Sequence, residues 1–346
     1  MTVFEEPDFD DHEHVSFFSD DSAGLRAVIA IHRTGPLGTA GGGCRIWPYR
    51  DTRAALRDAL RLSRAMTYKM ALVEIPAGGA KAVVIGQPAT PEAREALLLA
   101  VGRSVERLAG RFIVSTDVGT GPPDLPVIAR TTRWVKLDES GDDTSTATAY
   151  GVFVVLRAAV RLRLGKNDVR GVTVAVQGLG RVGLKLCELL GRAGARLLVT
   201  DLDPHRVEMV AHKLGATAVA PEAILDQSAD VFAPCALADA ITAENLGRLR
   251  CAVIAGSANN QLAESSLADE LGRREILWAP DIVANAGGVV GAASAGGDPA
   301  VLRTRLDGLG ALLEGVVARA KRDGVSLHDA AERIARDRFR AMGGRP

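Results

Sequence analysis

The stretch from Val172 to Gly183, VTVAVQGLGRVG, constrains the fold of this chain more than any other. Its β-branched opening reads as a strand, Val172–Gln177, and an amphipathic helix, Val182–Arg192, follows at once. Between them Gly178, Leu179, Gly180, Arg181, Val182 and Gly183 keep the GxGxxG spacing. A second strand, Arg196–Thr200, ends at Asp201, eighteen residues beyond Gly183. A lone GxGxxG is weak evidence, since a tight turn in a sheet domain that binds nothing can carry it. Strand, glycines, helix and distal acid together are the full context of a dinucleotide-binding unit. The first glycine permits the tight turn, the second lets the backbone approach a pyrophosphate, and the third lets helix and strand pack closely. The helix N-terminus offers unpaired N–H groups and positive potential to the phosphates. Asp201 would accept hydrogen bonds from the adenosine ribose and repel a 2′-phosphate, which favours NAD over NADP.

A chain of 346 residues is long for one domain and suited to two. Strand and helix alternate through both halves. In the first, Leu25–His32, Ala82–Ile85 and Phe112–Ser115 read as strands, and Asp51–Met70 and Pro91–Leu108 as helices. In the second, a helix over Ala147–Leu164 precedes the nucleotide unit, and Val207–Leu214 follows as a helix. Asp230–Phe232, Ala252–Ile254 and Ile276–Trp278 then read as strands, and 301–322 and 328–340 as closing helices. The alternation predicts an α/β protein. The polar run Asp138–Asp143 is the expected hinge between domains at 1–140 and 141–327, with the terminal segment 328–346 packing back on the first.

Lys+Arg and Asp+Glu both total 42, so no global positive field exists to attract nucleic acid or an acidic membrane surface. No apolar run approaches the ~18 residues of a membrane span, and the first residues are acidic rather than a basic, apolar leader. Residues 1–24 carry eight acids and no lysine or arginine, the pattern of a solvated arm or a sheet edge. Cys44, Cys187, Cys235 and Cys251 are dispersed without a CxxC, which fits a reducing cytoplasm and no disulfide framework. His12 and His14 form a close pair, read as solvated surface because no third metal ligand lies near; no metal is expected.

Of the 42 basic residues 35 are arginine, so the chain writes Arg wherever a surface cation will do. Two of the seven lysines, Lys69 and Lys81, nevertheless fall in one short apolar, glycine-rich stretch. Arginine stays protonated, whereas burial can tune a lysine into a neutral amine. Met66-Thr67-Tyr68-Lys69 closes a helix, and Pro76-Ala77-Gly78-Gly79-Ala80-Lys81 places the second lysine on an expected glycine turn before a strand. Asp117 ends the strand 112–115. Two cations and a carboxylate at neighbouring element ends suit a small anionic substrate, although surface ion pairs are the commoner fate of such charges.

These stretches resemble the superfamily of glutamate, leucine, phenylalanine and valine dehydrogenases. The similarity runs in order through GGGCRIWPY (41–49), MTYK (66–69), PAGGAK (76–81), TDVGT (116–120), TATAYGV (146–152), VAVQGLGRVG (174–183), APCAL (233–237), AGSANNQL (255–262) and APDIVANAGGV (279–289). The lengths and the APCAL and ANNQL strings look most like the leucine dehydrogenase branch. That branch usually has GGGK and GGTR where this chain has Gly78-Gly79-Ala80-Lys81 and Gly42-Gly43-Cys44-Arg45. Glutamate enzymes tolerate the GGAK form, and Cys44 reads as a packing residue rather than a nucleophile.

The resemblance implies an N-terminal α/β substrate and oligomerisation domain and a doubly wound Rossmann NAD domain, with a cleft between them. It implies reversible conversion of an L-amino acid to its 2-oxo acid, ammonium and NADH, by a homo-oligomer that binds neither nucleic acid nor membrane. Lys81 would be the general base, Asp117 the proton shuttle and Lys69 the ligand of the substrate carboxylate, with Gly42, Gly43 and Asn259 beside it. Arg45, Thr148, Leu202, Ala236, Leu237, Ala258 and Asn260 would join Gly178–Gly183 and Asp201 around NAD. A base working near neutral pH needs a lowered pKa, which burial and a nearby second lysine would supply.

In the family, glutamate specificity depends on a lysine and a serine at the positions of Gly41 and Ala292, so no cation remains here for a side-chain carboxylate. Gly41 and Ala292, with Ser115 and Val289 as further walls, leave room for an aromatic side chain, phenylalanine first, with a branched aliphatic substrate as the alternative. A catalytically silent NAD-binding regulator is the rival class, and the intact set of lysines, aspartate and asparagine argues against it.

Overall fold

The computed structural model describes residues 2–137 and 144–344, so the expected hinge Asp138–Asp143 lies outside the described residues. The chain divides into one unit of residues 1–141 with 335–346 and a second of residues 142–334.

In the first unit, β1 (His14–Asp20), β2 (Leu25–Arg33), β3 (Ala40–Trp47), β4 (Gly78–Ile85) and β5 (Phe112–Thr116) form a sheet in the order β1-β2-β4-β3-β5. β2 is antiparallel to β1 and β4, while β3 runs parallel to β4 and β5. Helix α1 (Thr52–Leu72) starts at Asp51, whose carboxylate accepts the Ala54 N–H at 2.7 Å. Its Ala55, Leu56, Ala59 and Leu60 bury one face against Val28, Ala30 and Val83. The opposite face of the sheet packs on α2 (Pro91–Glu106) and α3 (Leu125–Ala129). Alternation along β4 puts Ala80, Ala82 and Val84 in the α2 core. Lys81 therefore shares the face of Val83, the one that α1 covers.

The second unit opens with α4 (Thr144–Leu164) and then alternates β6 (Thr173–Gln177), α5 (Arg181–Arg192), β7 (Arg196–Thr200), α6 (Pro204–Leu214) and β8 (Thr217–Ala218). There follow β9 (Val231–Pro234), β10 (Val253–Ile254), α7 (Leu267–Arg273), β11 (Leu277–Trp278), α8 (Asp281–Ala284), α9 (Gly287–Ala293) and α10 (Pro299–Asp323). The last helix, α11 (Leu327–Ala341), gives its closing residues to the first unit, where Arg336 Nε donates to the Tyr68 hydroxyl at 3.1 Å. All strands of the second sheet are parallel, in the order β11-β10-β9-β6-β7-β8. Adjacent β6 and β9 lead to connections that depart in opposite directions, the switch point at which open α/β sheets bind ligands.

Three expectations need correction. Lys81 does not sit on a glycine turn, because β4 already begins at Gly78 and carries Lys81 in its interior. Gly41, Gly42 and Gly43, assigned to no element from sequence, lie within β3. The acidic N-terminus, expected as a solvated arm or a sheet edge, does supply the edge strand β1, but the residues before it are clamped to α1 rather than solvated. Arg53 pairs with Glu6 at 2.9 Å, Arg57 with Asp8 at 2.7 Å and Arg64 with Asp10 at 2.6 Å. That clamp buries His12, read from sequence as surface, with Nε2 3.1 Å from the Leu60 carbonyl. Among the described residues, no helix is long and apolar enough to cross a membrane.

Candidate active site and nucleotide site

Three strands of the first unit deliver charges to one place. Lys81 on β4 is 4% exposed, and its Nζ lies 2.8 Å from Oδ2 of Asp117, the residue after β5. Arg45 on β3 donates from Nε to the same oxygen at 2.8 Å and from Nη1 to Asp58 Oδ2 at 2.8 Å. The Tyr49 hydroxyl donates to that Asp58 oxygen as well. Burial pushes the Lys81 amine below the ordinary lysine value, with Arg45 adding to the effect and Asp117 opposing it. Burial alone would raise Asp117, but Lys81 and Arg45 outweigh it and hold the carboxyl well below the usual carboxylate range. The like charge acting on Lys81 is thus an arginine, where the sequence suggested the second lysine. Lys69 is also buried, in the last turn of α1.

The glycines of β3 serve close approach. A Cβ at Gly42 would lie 1.7 Å from the Ala80 carbonyl oxygen, and one at Gly43 would lie 2.5 Å from the Thr116 oxygen and 2.7 Å from Asp117 Cβ. At Gly41 the neighbour is Met70 Cε, 2.7 Å away, the mobile end of a flexible side chain. Ser115 on β5 pairs with Gly43 and is half-buried. Cys44 faces the α2 core, where burial pushes its thiol up to about 12, so it is inert packing.

In the second unit the glycine loop joins β6 to α5 as the spacing predicts. Gly178 has φ +96°, and a Cβ there would meet the Ala236 backbone nitrogen at 2.8 Å. A Cβ at Gly183 would lie 2.0 Å from the Gly178 oxygen. Around Gly180, by contrast, the nearest group to a Cβ is Arg206 Nη1 at 4.0 Å, which leaves the approach to the start of α5 open. Asp201 accepts the N–H of Leu179 at 2.5 Å and of Asp203 at 2.9 Å, which fixes its carboxylate beside the loop. Leu202 and Leu237, just beyond β7 and β9, are 89% and 53% exposed.

A second cluster follows β10 and β11. Asn285 donates from Nδ2 to Asn259 Oδ1 at 2.9 Å and to the Ser257 and Ala258 carbonyls at 3.1 and 3.3 Å. Two buried amide atoms there, Asn260 Nδ2 and Asn285 Oδ1, have no partner among the described residues. Such orphans fit a bound group that itself carries donors and acceptors, as a nicotinamide ribose does. Thr148 on α4 lies against α9, its Oγ1 2.6 Å from a Cβ built at Gly288. Val289 and Ala292 on α9 are half-buried.

The open loop at Gly180, the fixed Asp201 and the orphaned amides together fit a dinucleotide. Asp58, Tyr49, Met70 and Asn285 have no role assigned from sequence; Tyr49 and Asn285 left a signal, inside the GGGCRIWPY and NAGGV strings. Among the described residues no group of His, Cys, Asp and Glu is gathered to hold a metal ion.

Residues 12–134 match the family model for the Glu/Leu/Phe/Val dehydrogenase dimerisation domain. Residues 140–204 and 199–295 match that for Glutamate/Leucine/Phenylalanine/Valine dehydrogenase. A leucine dehydrogenase of Bacillus subtilis (strain 168) is 39% identical, over 99% of this chain and 95% of its own length. A phenylalanine dehydrogenase of Bacillus thermotolerans is 40% identical, over 100% and 92%. An L-tryptophan dehydrogenase of Nostoc punctiforme is 41% identical, over 98% and 96%. The crystal structure of L-tryptophan dehydrogenase from Nostoc punctiforme superposes with a TM-score of 0.78, covering 96% of this chain and 97% of that one. A buried lysine–aspartate pair in one unit, a dinucleotide loop in the other and similarity along nearly the whole chain agree: this chain belongs to the glutamate/leucine/phenylalanine/valine dehydrogenase family and is an amino acid dehydrogenase.

Proposed function

We propose that this chain catalyses NAD-dependent oxidative deamination of an apolar L-amino acid. An L-amino acid, water and NAD⁺ give the 2-oxo acid, ammonium, NADH and a proton, and the reaction runs in both directions. The observation that carries this reading is the buried contact of Lys81 with Asp117. Lys69 binds the α-carboxylate. Asp117, kept ionised by two cations, takes and returns the proton of the substrate amino group. Lys81, its amine lowered by burial, removes a proton from the water that attacks the imine. Arg45, expected from sequence at the cofactor, has its guanidinium held by Asp117 and Asp58, so we assign it to positioning Asp117. NAD, when bound, supplies the hydride acceptor. Gly178–Gly183 hold its pyrophosphate and Asp201 its adenosine ribose. Thr148, Ala236, Leu237, Ala258 and Asn260 complete its contacts, and Asn259 reaches the substrate.

Gly41 and Ala292 favour an aromatic substrate. Met70 Cε now takes the space over Gly41, and an unbranched methionine can swing clear. A branched aliphatic substrate remains the second reading, because leucine and aromatic enzymes are similarly close relatives. A panel of L-amino acids, assayed for NADH absorbance at alkaline pH, tests both; no turnover of any apolar amino acid refutes the function. We also propose a homo-oligomer assembled through the first unit, whose edge strand β1 leaves Phe17 58% exposed. Light scattering that gave a 36.3 kDa particle would refute it.

A further inference from the structure

The acidic arm and its histidines have no place in the reaction above, yet they run to its centre. Asp10 accepts from Arg64 Nε at 2.6 Å and from the Tyr68 hydroxyl at 3.2 Å. Its Oδ2 also faces Nε2 of His32 at 3.3 Å. On the other side of that ring, Nδ1 lies 2.9 Å from Thr67 Oγ1. Thr67 Oγ1 accepts the backbone N–H of Gly79 at 3.0 Å. Thr67 Oγ1 thus bridges the Gly79 amide and the His32 ring, with the Ser63 carbonyl 3.4 Å away, and the far side of that ring faces the Asp10 carboxylate.

The two ends of this chain of contacts bear on the two lysines. Thr67 stands two residues before Lys69 on α1, and Gly79 stands two residues before Lys81 on β4. The approach is too tight for any other residue at position 79. A Cβ there would lie 2.0 Å from the Thr67 nitrogen and 2.4 Å from the Ser63 carbonyl oxygen. His12 secures the turn before. Its Nδ1 accepts the Asp10 N–H at 3.2 Å, so its Nε2 proton points to the Leu60 carbonyl at 3.1 Å. His32 and Thr67 are 2% and 1% exposed, so water does not substitute for the contact between them.

We infer that Asp10, His32 and Thr67 are positioning residues that lock helix α1 to strand β4 and so set the spacing between Lys69 and Lys81. The arm is thereby a working part of the catalytic unit. The inference rests on the assignment of those two lysines to substrate carboxylate and base.

Thr67→Val keeps the shape and removes the hydroxyl, leaving the Gly79 N–H without that acceptor. The expected result is a KM for the amino acid raised about tenfold and a kcat lowered about tenfold, with the Kd for NADH unchanged, since small misplacements of reacting groups cost that much. Thr67→Ser restores both constants. A merely destabilised enzyme would lose active fraction, and with it apparent kcat, but would keep its KM. An unchanged KM in Thr67→Val, or Thr67→Ser no better than Thr67→Val, overturns the inference. Should Thr67→Val fail to fold, Asp10→Asn on the arm decides. It should raise the same KM about threefold, and no change contradicts the inference. Both lysines are intact in all three variants, so failure of their assignment would show separately, in Lys81→Ala.

Discussion

Lys81 and Arg45 converge on one oxygen of Asp117, each at 2.8 Å. The arrangement keeps the carboxylate ionised while leaving the buried amine easier to deprotonate than an ordinary lysine. The signs can be separated. Arg45 disfavours the charged form of Lys81 and Asp117 favours it. Deamination should therefore rise with pH through an apparent pKa below 10.5, the ordinary lysine value. Arg45→Gln removes the like charge and should move that limb to higher pH. Asp117→Asn removes the counter-charge and should move it to lower pH, with kcat reduced. Profiles of kcat/KM against pH check this; shifts of the same sign in both variants would contradict it.

The carboxylate of Asp201 is fixed by two backbone N–H groups beside the glycine loop. It should repel a 2′-phosphate. NADPH should bind much more weakly than NADH, and Asp201→Ser should narrow the gap by about tenfold or more. Fluorescence titration of both reduced cofactors measures this directly. Equal Kd values for the two in the parent protein would sink the assignment.

Acid sensitivity follows from two buried histidines, His12 of the arm and His32 of β2. Burial first, then the charge of His32, push His12 down to about 4. Between pH 6.5 and about 4 the unfolded chain binds a proton at this site that the folded chain refuses. Stability should fall across that window by roughly 3 kcal/mol from His12, and the depressed His32 acts in the same direction. Asp10, whose pKa is lowered by the His32 and Arg64 contacts against the pull of burial, stabilises above its unfolded value of 3.8 and loses that contribution below it. His12→Gln should flatten the decline of Tm on acidification. An unaltered slope would show that His12 does not carry it.

On the proposed function, positions 41 and 292, each taken from the resemblance, should bear on substrate size. Ala292→Leu should lower kcat/KM for L-phenylalanine more than for L-valine, since overpacking costs about 1–3 kcal/mol. Met70→Ala should act oppositely, by clearing the space over Gly41. Equal losses for all substrates in Ala292→Leu would remove position 292 from the pocket wall.

Long segments with one apolar face were legible in the sequence. α1 announces itself by periodicity, α2 by its opening proline, β2 by its apolar, β-branched run, and the loop from Gly178 to Gly183 by its neighbours. The errors came from contacts distant in sequence. Gly78-Gly79 looks like a turn, but a Cβ at Gly78 would lie 1.7 Å from the Arg33 oxygen, so these glycines serve strand packing. No local rule distinguishes the two uses. The arm looked solvated because its acids find partners on α1, more than forty residues away. Nothing local in the sequence marks Asp58, which becomes part of the site only through its contacts with Arg45 and Tyr49. Of the two-residue strands, β10 and β11 fall inside the expected strands 252–254 and 276–278, whereas β8 is too short and too exposed to carry a pattern.

The central claim is that Lys81 is the base, and Lys81→Ala tests it most directly. The residue sits in the first unit, away from the glycine loop in sequence, so loss of its amine should spare the cofactor. The account predicts a kcat reduced about 10²–10⁴-fold, with the Kd for NADH and the melting temperature close to those of the parent. A variant that kept more than about a tenth of the parent kcat would contradict it, because general-base catalysis is worth far more than that.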